Sequence, residues 1–145
     1  MSGIVVGALP IINGIVFSDL GQASNFMALD WVQKTLSECL GFAPFPATLN
    51  VRPADRDDAA TWESVQNDAS RYFLMPSHGG SCNARIFRIE IYASARKSER
   101  KTAGAILLPE VEKYPKNKIE IVAPTRLKET FGVSDGDQIT LEFIN

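Results

Sequence analysis

The chain has 145 residues, of which 45% are hydrophobic and 22% are charged, with a formal net charge of -2. This balance is typical of a soluble globular protein, and the length predicts a single domain over residues 1–145. The absence of a basic excess predicts no nucleic-acid partner, although it does not exclude a nucleotide ligand. Residues 1–6 carry neither a basic segment nor a long apolar run, so we expect a cytoplasmic protein without a membrane span.

The first half of the chain alternates short apolar runs with turn-forming residues. An apolar run predicts a strand from Ile4 to Leu9, and the Asn13-Gly14 pair between two further runs predicts a hairpin. Residues 19–25 read as a loop. Helical spacing of apolar residues predicts a helix that ends at Leu40, before Gly41. Further elements are predicted as a strand over 49–52 stopped by Pro53, a helix over 57–67 and a strand over 72–75.

The second half is dominated by strands. Alternation from Ser81 to Ala93 predicts a long strand, and its change of phase at Phe87 indicates a bulge or a bend. The charged residues 94–101 predict a solvated hairpin tip. The remaining predictions are strands over 103–108, 118–123 and 139–143, a short helix over 125–131 before Gly132, and a tight turn over 134–137.

At least six short strands with two or three short helices favour a mainly β fold, a small closed or nearly closed barrel. A parallel α/β sheet would need a helix after nearly every strand, and residues 72–108 supply none. The two cysteines, Cys39 and Cys82, form no CxxC pair. They are therefore predicted to be buried free thiols rather than zinc ligands.

Thr48 and Asn50 open the strand that follows the Pro44-Phe45-Pro46 elbow. Side chains at i and i+2 of a strand point to the same face, so a hydroxyl and an amide lie side by side. Such oxygens are weak Mg²⁺ ligands that become adequate when a nucleotide supplies phosphate charge. The alternative is that both side chains satisfy nearby backbone groups.

Other candidate residues carry weaker signals. The small residues of the stretch from Ser18 to Ser24 would let its backbone approach a phosphate, although no P-loop pattern is present and an ordinary loop is the alternative. Glu120, Arg126 and Lys128 could contact a ligand or could lie on solvated faces. His78, beside two glycines, fits a loop better than a catalytic role, and the sequence identifies no catalytic residue or general base.

Taken together and in this order, these elements resemble the archaeal-type CTP-dependent riboflavin kinases and their bacterial relatives. The most specific part is Thr48-Leu49-Asn50 after the proline-rich elbow. The resemblance runs without a gap over 14–50, resumes at 79–82, and continues through 107–110, 114–115, 119–124, 126–128 and 135–137. Residues 1–13 and 54–78 are not explained by it.

The resemblance implies a six-stranded cradle-loop barrel that transfers the γ-phosphate of CTP to riboflavin, giving FMN and CDP. It implies that Thr48 and Asn50 ligate Mg²⁺, and that Glu112 and Glu120 contact the flavin. It also implies two nucleotide-binding stretches: Asp19, Leu20, Gly21, Gln22, Ala23 and Ser24, and Thr125, Arg126, Leu127 and Lys128.

Several residues depart from the family pattern. Asp19 and Ala47 stand at positions of glycine, Ala23 stands at a variable glycine, and Glu112 stands at a threonine near the product phosphate. A carboxylate beside a phosphate is unfavourable without a counterion. Two alternatives therefore accompany the kinase hypothesis: a non-catalytic barrel that binds a flavin, a nucleotide or a protein, and a kinase for another small hydroxylated substrate.

Overall fold

The structure is a computed structural model that describes residues 9–19, 26–75, 83–93 and 100–144. The helices in these ranges are α1 (Asp30–Leu40), α2 (Arg56–Gln66) and α3 (Leu127–Phe131), with a 3-10 turn at Ala69–Arg71. The strands are β1 (Ile11–Phe17), β2 (Leu49–Pro53), β3 (Phe73–Met75), β4 (Ala84–Tyr92), β5 (Lys101–Pro109), β6 (Ile119–Val122) and β7 (Gln138–Phe143).

Six strands close into an antiparallel barrel in the order β4-β5-β6-β2-β1-β7. Pairing of β4 with β7, from Ile89 opposite Phe143 to Tyr92 opposite Thr140, completes the ring. β3 is an additional strand that pairs with the first three residues of β4. The predicted six-stranded barrel is confirmed, and closure leaves none of these six strands with a free edge.

Alternate residues of each strand fill the barrel interior, including Val51, Ile121 and Leu141. Helix α2 contributes Trp62, whose ring lies 5.2 Å from that of Phe87 and 6.3 Å from that of Phe143. The helix belongs to the segment that the family resemblance did not explain. Its place in the core shows that it completes the interior instead of decorating the surface.

A second hydrophobic core lies outside the barrel. Val32 and Leu36 of α1 pack against the outer face of the sheet. Their partners include Ile86, Leu107 and Val122, from three adjacent barrel strands. Helix α1 ends at Gly41, which has a φ of 82° and donates its N–H to the Ser37 carbonyl, as the sequence predicted.

The change of phase at Phe87 marks a change of covered face. Ala84 and Ile86 belong to the outer core, whereas Phe87, Ile89 and Ile91 belong to the barrel interior. The ladder from β4 to β5 continues without an extra residue, so the pairing contains no bulge. Strand β4 instead exchanges β3 for β7 as its second neighbour near this point.

The predicted hairpin at Asn13-Gly14 is wrong. β1 continues through both residues and pairs with β2 on one side and β7 on the other. Gly14 is buried there, and a Cβ atom on it would lie 2.8 Å from Val51 Cγ2. The glycine therefore permits close packing of the barrel wall, a requirement that a local turn pattern does not reveal.

Most other element predictions are confirmed, with ends shifted by one to three residues. The turn over 134–137 contains Gly136 with a φ of 95°. Cys39 is free but only half-buried, so the prediction of a fully buried thiol is wrong for it. Cys82, His78, residues 4–8 of the predicted first strand and residues 94–99 of the predicted hairpin tip lie outside the described residues. Leu9 precedes β1, and Lys101, predicted to be in the tip, begins β5. No helix in the described part of the chain is long and apolar enough to span a membrane.

Candidate active site

A row of side chains crosses the outer face of the barrel at β1, β2, β6 and β5. Phe17 is opposite Asn50, Asn50 is opposite Glu120, and Glu120 is opposite Leu107. Their neighbours Leu49, Val51, Ile119 and Ile121 point into the interior core. Strand alternation thus places an amide and a carboxylate side by side on the outer face.

The proline-rich elbow positions Thr48 at the start of β2. Pro44 is buried, and the Phe45 N–H donates to the Ala123 carbonyl at 2.8 Å, just beyond β6. The Thr48 hydroxyl donates to Glu120 Oε1 at 3.1 Å. The elbow is therefore tied to the strand that carries the carboxylate, and Thr48, Asn50 and Glu120 form one cluster.

Glu120 is only 8% exposed, so the alternative of a solvated carboxylate is wrong. Its second oxygen, Oε2, accepts a hydrogen bond from the Tyr114 hydroxyl at 2.5 Å. Burial, this hydrogen bond and the negative charges of Glu120 and Asp19 raise the pKa of Tyr114 far above its ordinary value. Tyr114 is therefore a neutral hydrogen-bond donor at physiological pH.

The side-chain oxygen of Asn50 has the surroundings expected of a metal ligand. Its Oδ1 is buried, and no donor in the described ranges reaches it. A buried acceptor without a partner is costly and calls for a cation or a donor from beyond the described residues. With the Thr48 hydroxyl, it offers neutral oxygens that suit a hard divalent ion such as Mg²⁺. Groups of three or more His, Cys, Asp or Glu side chains suited to a metal are absent from the described residues.

A cavity of about 550 Å³, the main pocket, opens beside this cluster. Thr48, Glu120 and Tyr114 line its polar side together with two lysines, Lys113 and Lys118. Residues of the outer core form its apolar wall: Met27, Met75, Ala84 and Leu107. A mostly apolar cavity with a few convergent polar groups is the usual form of a small-molecule site.

Glu112 does not join Glu120 in this pocket. It is exposed and lines a neighbouring cleft of about 400 Å³ with Trp62, Arg85 and Glu110. The two cavities adjoin, because Tyr114 and Pro115 line both of them. The two carboxylates predicted to contact the flavin thus line two different, adjoining cavities.

Asp19 is exposed, and it contacts Lys118, a residue that lines the main pocket. Its carboxylate forms an ion pair with Lys118 at 2.5 Å. The two residues also line a smaller cleft with Phe17 and Arg52. Residues 20–24 of the predicted nucleotide stretch lie outside the described part of the chain.

The second predicted nucleotide stretch begins after β6. Leu127 packs in the interior core, Arg126 is paired with Glu129 at 3.3 Å, and Thr125 shares a hydrogen bond with Thr130. Lys128 lies 3.3 Å from the Ser18 hydroxyl and 3.4 Å from Asp135. These contacts bring the stretch close to the end of β1, from which Asp19 follows.

Sequence reasoning missed Tyr114 and Lys118. Strand alternation puts Lys118 on the same face as Glu120, two residues later, but no sequence pattern links Lys118 to Asp19. Tyr114 belongs to an irregular segment between β5 and β6, where no periodicity predicts the direction of a side chain. Its hydrogen bond to Glu120 depends on how that segment folds back over β6.

The comparison with known families agrees with this geometry. The model CTP-dep_RFKase, described as a domain of unknown function (DUF120), matches residues 16–143. The chain belongs to the CTP-dependent riboflavin kinase family. The match includes Thr48, Asn50, Glu120 and every strand of the barrel except the first residues of β1.

Family relatives are curated as riboflavin kinases in several archaea. The protein of Methanocella arvoryzae is 33% identical over 142 residues, which cover 94% of this chain and 59% of the relative. That of Saccharolobus solfataricus is 28% identical, with 90% and 72% covered. That of Archaeoglobus fulgidus is 32% identical, with 92% and 54% covered. The chain thus spans between about half and three quarters of the length of these relatives.

Proposed function

We propose that this protein is a CTP-dependent riboflavin kinase that requires Mg²⁺. It transfers the γ-phosphoryl group of CTP to the 5′-hydroxyl of riboflavin and releases FMN and CDP. The family membership and the names of the relatives support the reaction. The observation that carries the proposal is the buried Asn50 Oδ1, which has no donor among the described residues. Asn50 is the register partner of Glu120, which lines a pocket suited to an aromatic ligand.

Riboflavin fits the chemistry of the main pocket. The wall formed by Met27, Met75 and Leu107 offers apolar surface to the isoalloxazine ring. Glu120 offers carboxylate oxygens to a ring N–H or a ribityl hydroxyl, and Tyr114 holds that carboxylate in place. A cavity of about 550 Å³ is within the usual size range for a ligand of this kind. Glu112 would contact the flavin only from the neighbouring cleft.

Thr48 and Asn50 are the residues that would hold Mg²⁺. When bound, the ion neutralises charge on the nucleotide phosphates. The residues of the stretches 19–24 and 125–128 would hold the nucleotide, with Lys128 and Arg126 as their cations. Since the transition state of phosphoryl transfer is loose, positioning and charge stabilisation supply most of the catalysis.

The proposed reaction is balanced as a direct transfer. The 5′-oxygen of riboflavin forms a bond to the γ-phosphorus, and the bond from that phosphorus to the β,γ-bridging oxygen breaks. The bridging oxygen leaves on CDP with the electron pair, and the hydroxyl proton is released to water. The chain's part is to bring the hydroxyl and the γ-phosphate into line.

The deciding experiment is an FMN-formation assay with riboflavin and Mg²⁺, with CTP in one tube and ATP in the other. We expect FMN from CTP. Thr48→Ala and Asn50→Ala should each lower turnover by about 100-fold, which is typical for loss of one preorganised polar group. Thr102→Ala and Asn67→Ala, which change the same residue types away from the pocket, serve as matched controls.

Each of the other outcomes points to a different function for this protein. Riboflavin binding without FMN formation from either nucleotide points to the non-catalytic barrel. Tight Mg-CTP binding with riboflavin rejected points to a kinase for another hydroxylated substrate. Full turnover in both Thr48→Ala and Asn50→Ala would remove these residues from the site.

A further inference from the structure

The ion pair between Asp19 and Lys118 crosses strand β2. Asp19 follows β1 and Lys118 precedes β6, while β2 lies between these two strands in the sheet. Lys118 lines the main pocket with Thr48 and Glu120, and lines the smaller cleft with Asp19 and Arg52. The crossing is therefore on the outer face, the face that carries Asn50.

This crossing places an ammonium group at the border between two cavities. One is the main pocket, and the other is the cleft next to the start of the first nucleotide stretch. If the flavin fills the main pocket and the nucleotide approaches from Asp19, their reacting ends meet near this border. The 5′-hydroxyl and the γ-phosphate would then both lie close to Lys118.

The Lys118 side chain is held but retains donor capacity. It is 21% exposed, its ammonium contacts the Asp19 carboxylate, and it lies 5.7 Å from the centre of the Tyr114 ring. An ammonium has three N–H donors, and one carboxylate does not use them all. Lys118 is therefore able to remain paired with Asp19 while it donates to a phosphate oxygen.

From these contacts we infer that Lys118 is a catalytic residue that contacts the transferred γ-phosphoryl group, and that Asp19 is the positioning residue that holds it. This inference rests on the proposed function. It also gives a physical role to Asp19, which stands at a position of glycine in the family. Lys118 is the counterion of the Asp19 carboxylate, so the ion pair as a whole does not repel a nucleotide. A positioned cation beside the phosphoryl oxygens stabilises the charge that they carry in the transition state.

The experiment compares Lys118→Met, Lys118→Arg and Asp19→Asn with the parent protein. Lys101→Met is the matched control, because Lys101 forms an exposed ion pair with Glu90 at 3.7 Å and lines none of these cavities. Four quantities are measured: kcat, KM for CTP, Mg-CTP affinity by calorimetry, and riboflavin affinity by quenching of its fluorescence. Melting temperature reports on folding.

We expect Lys118→Met to lower kcat by about 100-fold and to change riboflavin affinity by less than about threefold. Lys118→Arg should restore part of kcat, because the guanidinium keeps the charge with a different shape. Asp19→Asn should lower kcat by roughly tenfold, since the cation remains but is less constrained. Lys101→Met should retain the kinetics of the parent.

Two results would overturn the assignment. One is a folded Lys118→Met protein whose kcat stays within about threefold of the parent. The other is a Lys118→Met protein in which riboflavin affinity, Mg-CTP affinity and melting temperature all fall, with none of them restored in Lys118→Arg. That result is expected if the ion pair has only a structural role.

The assignment of Lys118 is separable from the kinase activity itself. If the parent binds Mg-CTP but forms no FMN, the proposed function fails, and Lys118 is judged by binding alone. A roughly tenfold weaker Mg-CTP complex in Lys118→Met then supports its contact with the nucleotide phosphates, and an unchanged complex refutes it. A folded parent that does not bind Mg-CTP refutes both proposals.

Discussion

Asn50 and Glu120 are register partners on neighbouring strands, and their polar groups differ in how they are satisfied. Both oxygens of Glu120 accept hydrogen bonds, from Thr48 and from Tyr114, while Asn50 Oδ1 is buried without a donor in the described structure. The strand pairing thus places a carboxylate whose two oxygens are both hydrogen-bonded beside an amide oxygen that has no hydrogen-bond donor in the described structure. Under the proposed function, Glu120 would contact the flavin and Asn50 would contact the cation.

The unpartnered amide predicts opposite effects on stability and on binding. Asn50→Leu removes a buried acceptor and leaves no new one, so the metal-free protein should unfold with a free energy equal to or about 1 kcal/mol above that of the parent. The same change should weaken Mg-CTP binding at least tenfold. Chemical denaturation without metal and calorimetry with Mg-CTP measure the two effects. A less stable Asn50→Leu protein with unchanged Mg-CTP affinity would contradict this prediction.

Tyr114 predicts a pH dependence at the alkaline end. Its pKa is raised in the folded state, by burial first and then by Glu120, so its stabilising contribution is complete below the ordinary pKa of about 10 and declines as the pH rises above it. The difference in unfolding free energy between the parent and Tyr114→Phe should be constant from pH 7 to about 9. Above about pH 10 the difference should shrink. A difference that grows there would mean that the phenol ionises more readily in the folded protein.

Asp58 predicts a contrast between two substitutions. Its Oδ1 accepts the Asn13 N–H at 2.9 Å, where Pro53 ends the ladder from β2. Asp58→Ala leaves that N–H without its partner and should lower the unfolding free energy by about 1–3 kcal/mol. Asp58→Asn keeps an acceptor oxygen and should be tolerated at neutral pH. Denaturation of both variants beside the parent tests this.

The stability of Asp58→Asn relative to the parent should change with pH in a defined direction. Burial is the main cause that raises the pKa of Asp58, so the carboxyl group favours the folded state most at low pH and less as the pH rises through the raised value. The stability of Asp58→Asn relative to the parent should therefore increase from about pH 4 upward. A relative stability that falls over this range would mean that the pKa is lowered instead.

Gly14 predicts a packing conflict that a second substitution relieves. A Cβ atom in Gly14→Ala would approach Val51 Cγ2 at 2.8 Å and should cost about 1–3 kcal/mol. Val51→Ala alone should also destabilise, because it empties part of the core. The double variant should lose less unfolding free energy than the sum of the losses in the two single variants. This difference is a favourable coupling in a double-mutant cycle. Simple additivity would show that the strands separate instead.

The barrel was predictable because its strands carry strong local patterns. The alternation of Ile139, Leu141 and Phe143, the glycine after α1 and the turn at Gly136 each depend on residues close in sequence. The hairpin prediction at Asn13-Gly14 failed because Gly14 is required by its close packing against Val51, a residue 37 positions later in the sequence. Local patterns do not contain such long-range packing.

The site was predictable to the same extent. Thr48 and Asn50 follow from strand alternation after the elbow, and their proximity to Glu120 follows once the pairing of β2 with β6 is known. The partners of Glu120 and Asp19 were not predictable. Tyr114 reaches Glu120 from an irregular connection whose path is set by tertiary packing. Lys118 meets Asp19 across strand β2, and a local pattern does not reveal such a contact.

The outer core has a consequence for ligand-dependent order in the chain. Met27, Met75, Ala84 and Leu107 serve both as the wall of the main pocket and as the surface on which α1 rests. A ligand that covers this wall adds buried area to the same cluster that anchors the helix. Occupancy of the pocket should therefore slow amide hydrogen exchange in α1, although Val32 and Leu36 do not line the cavity.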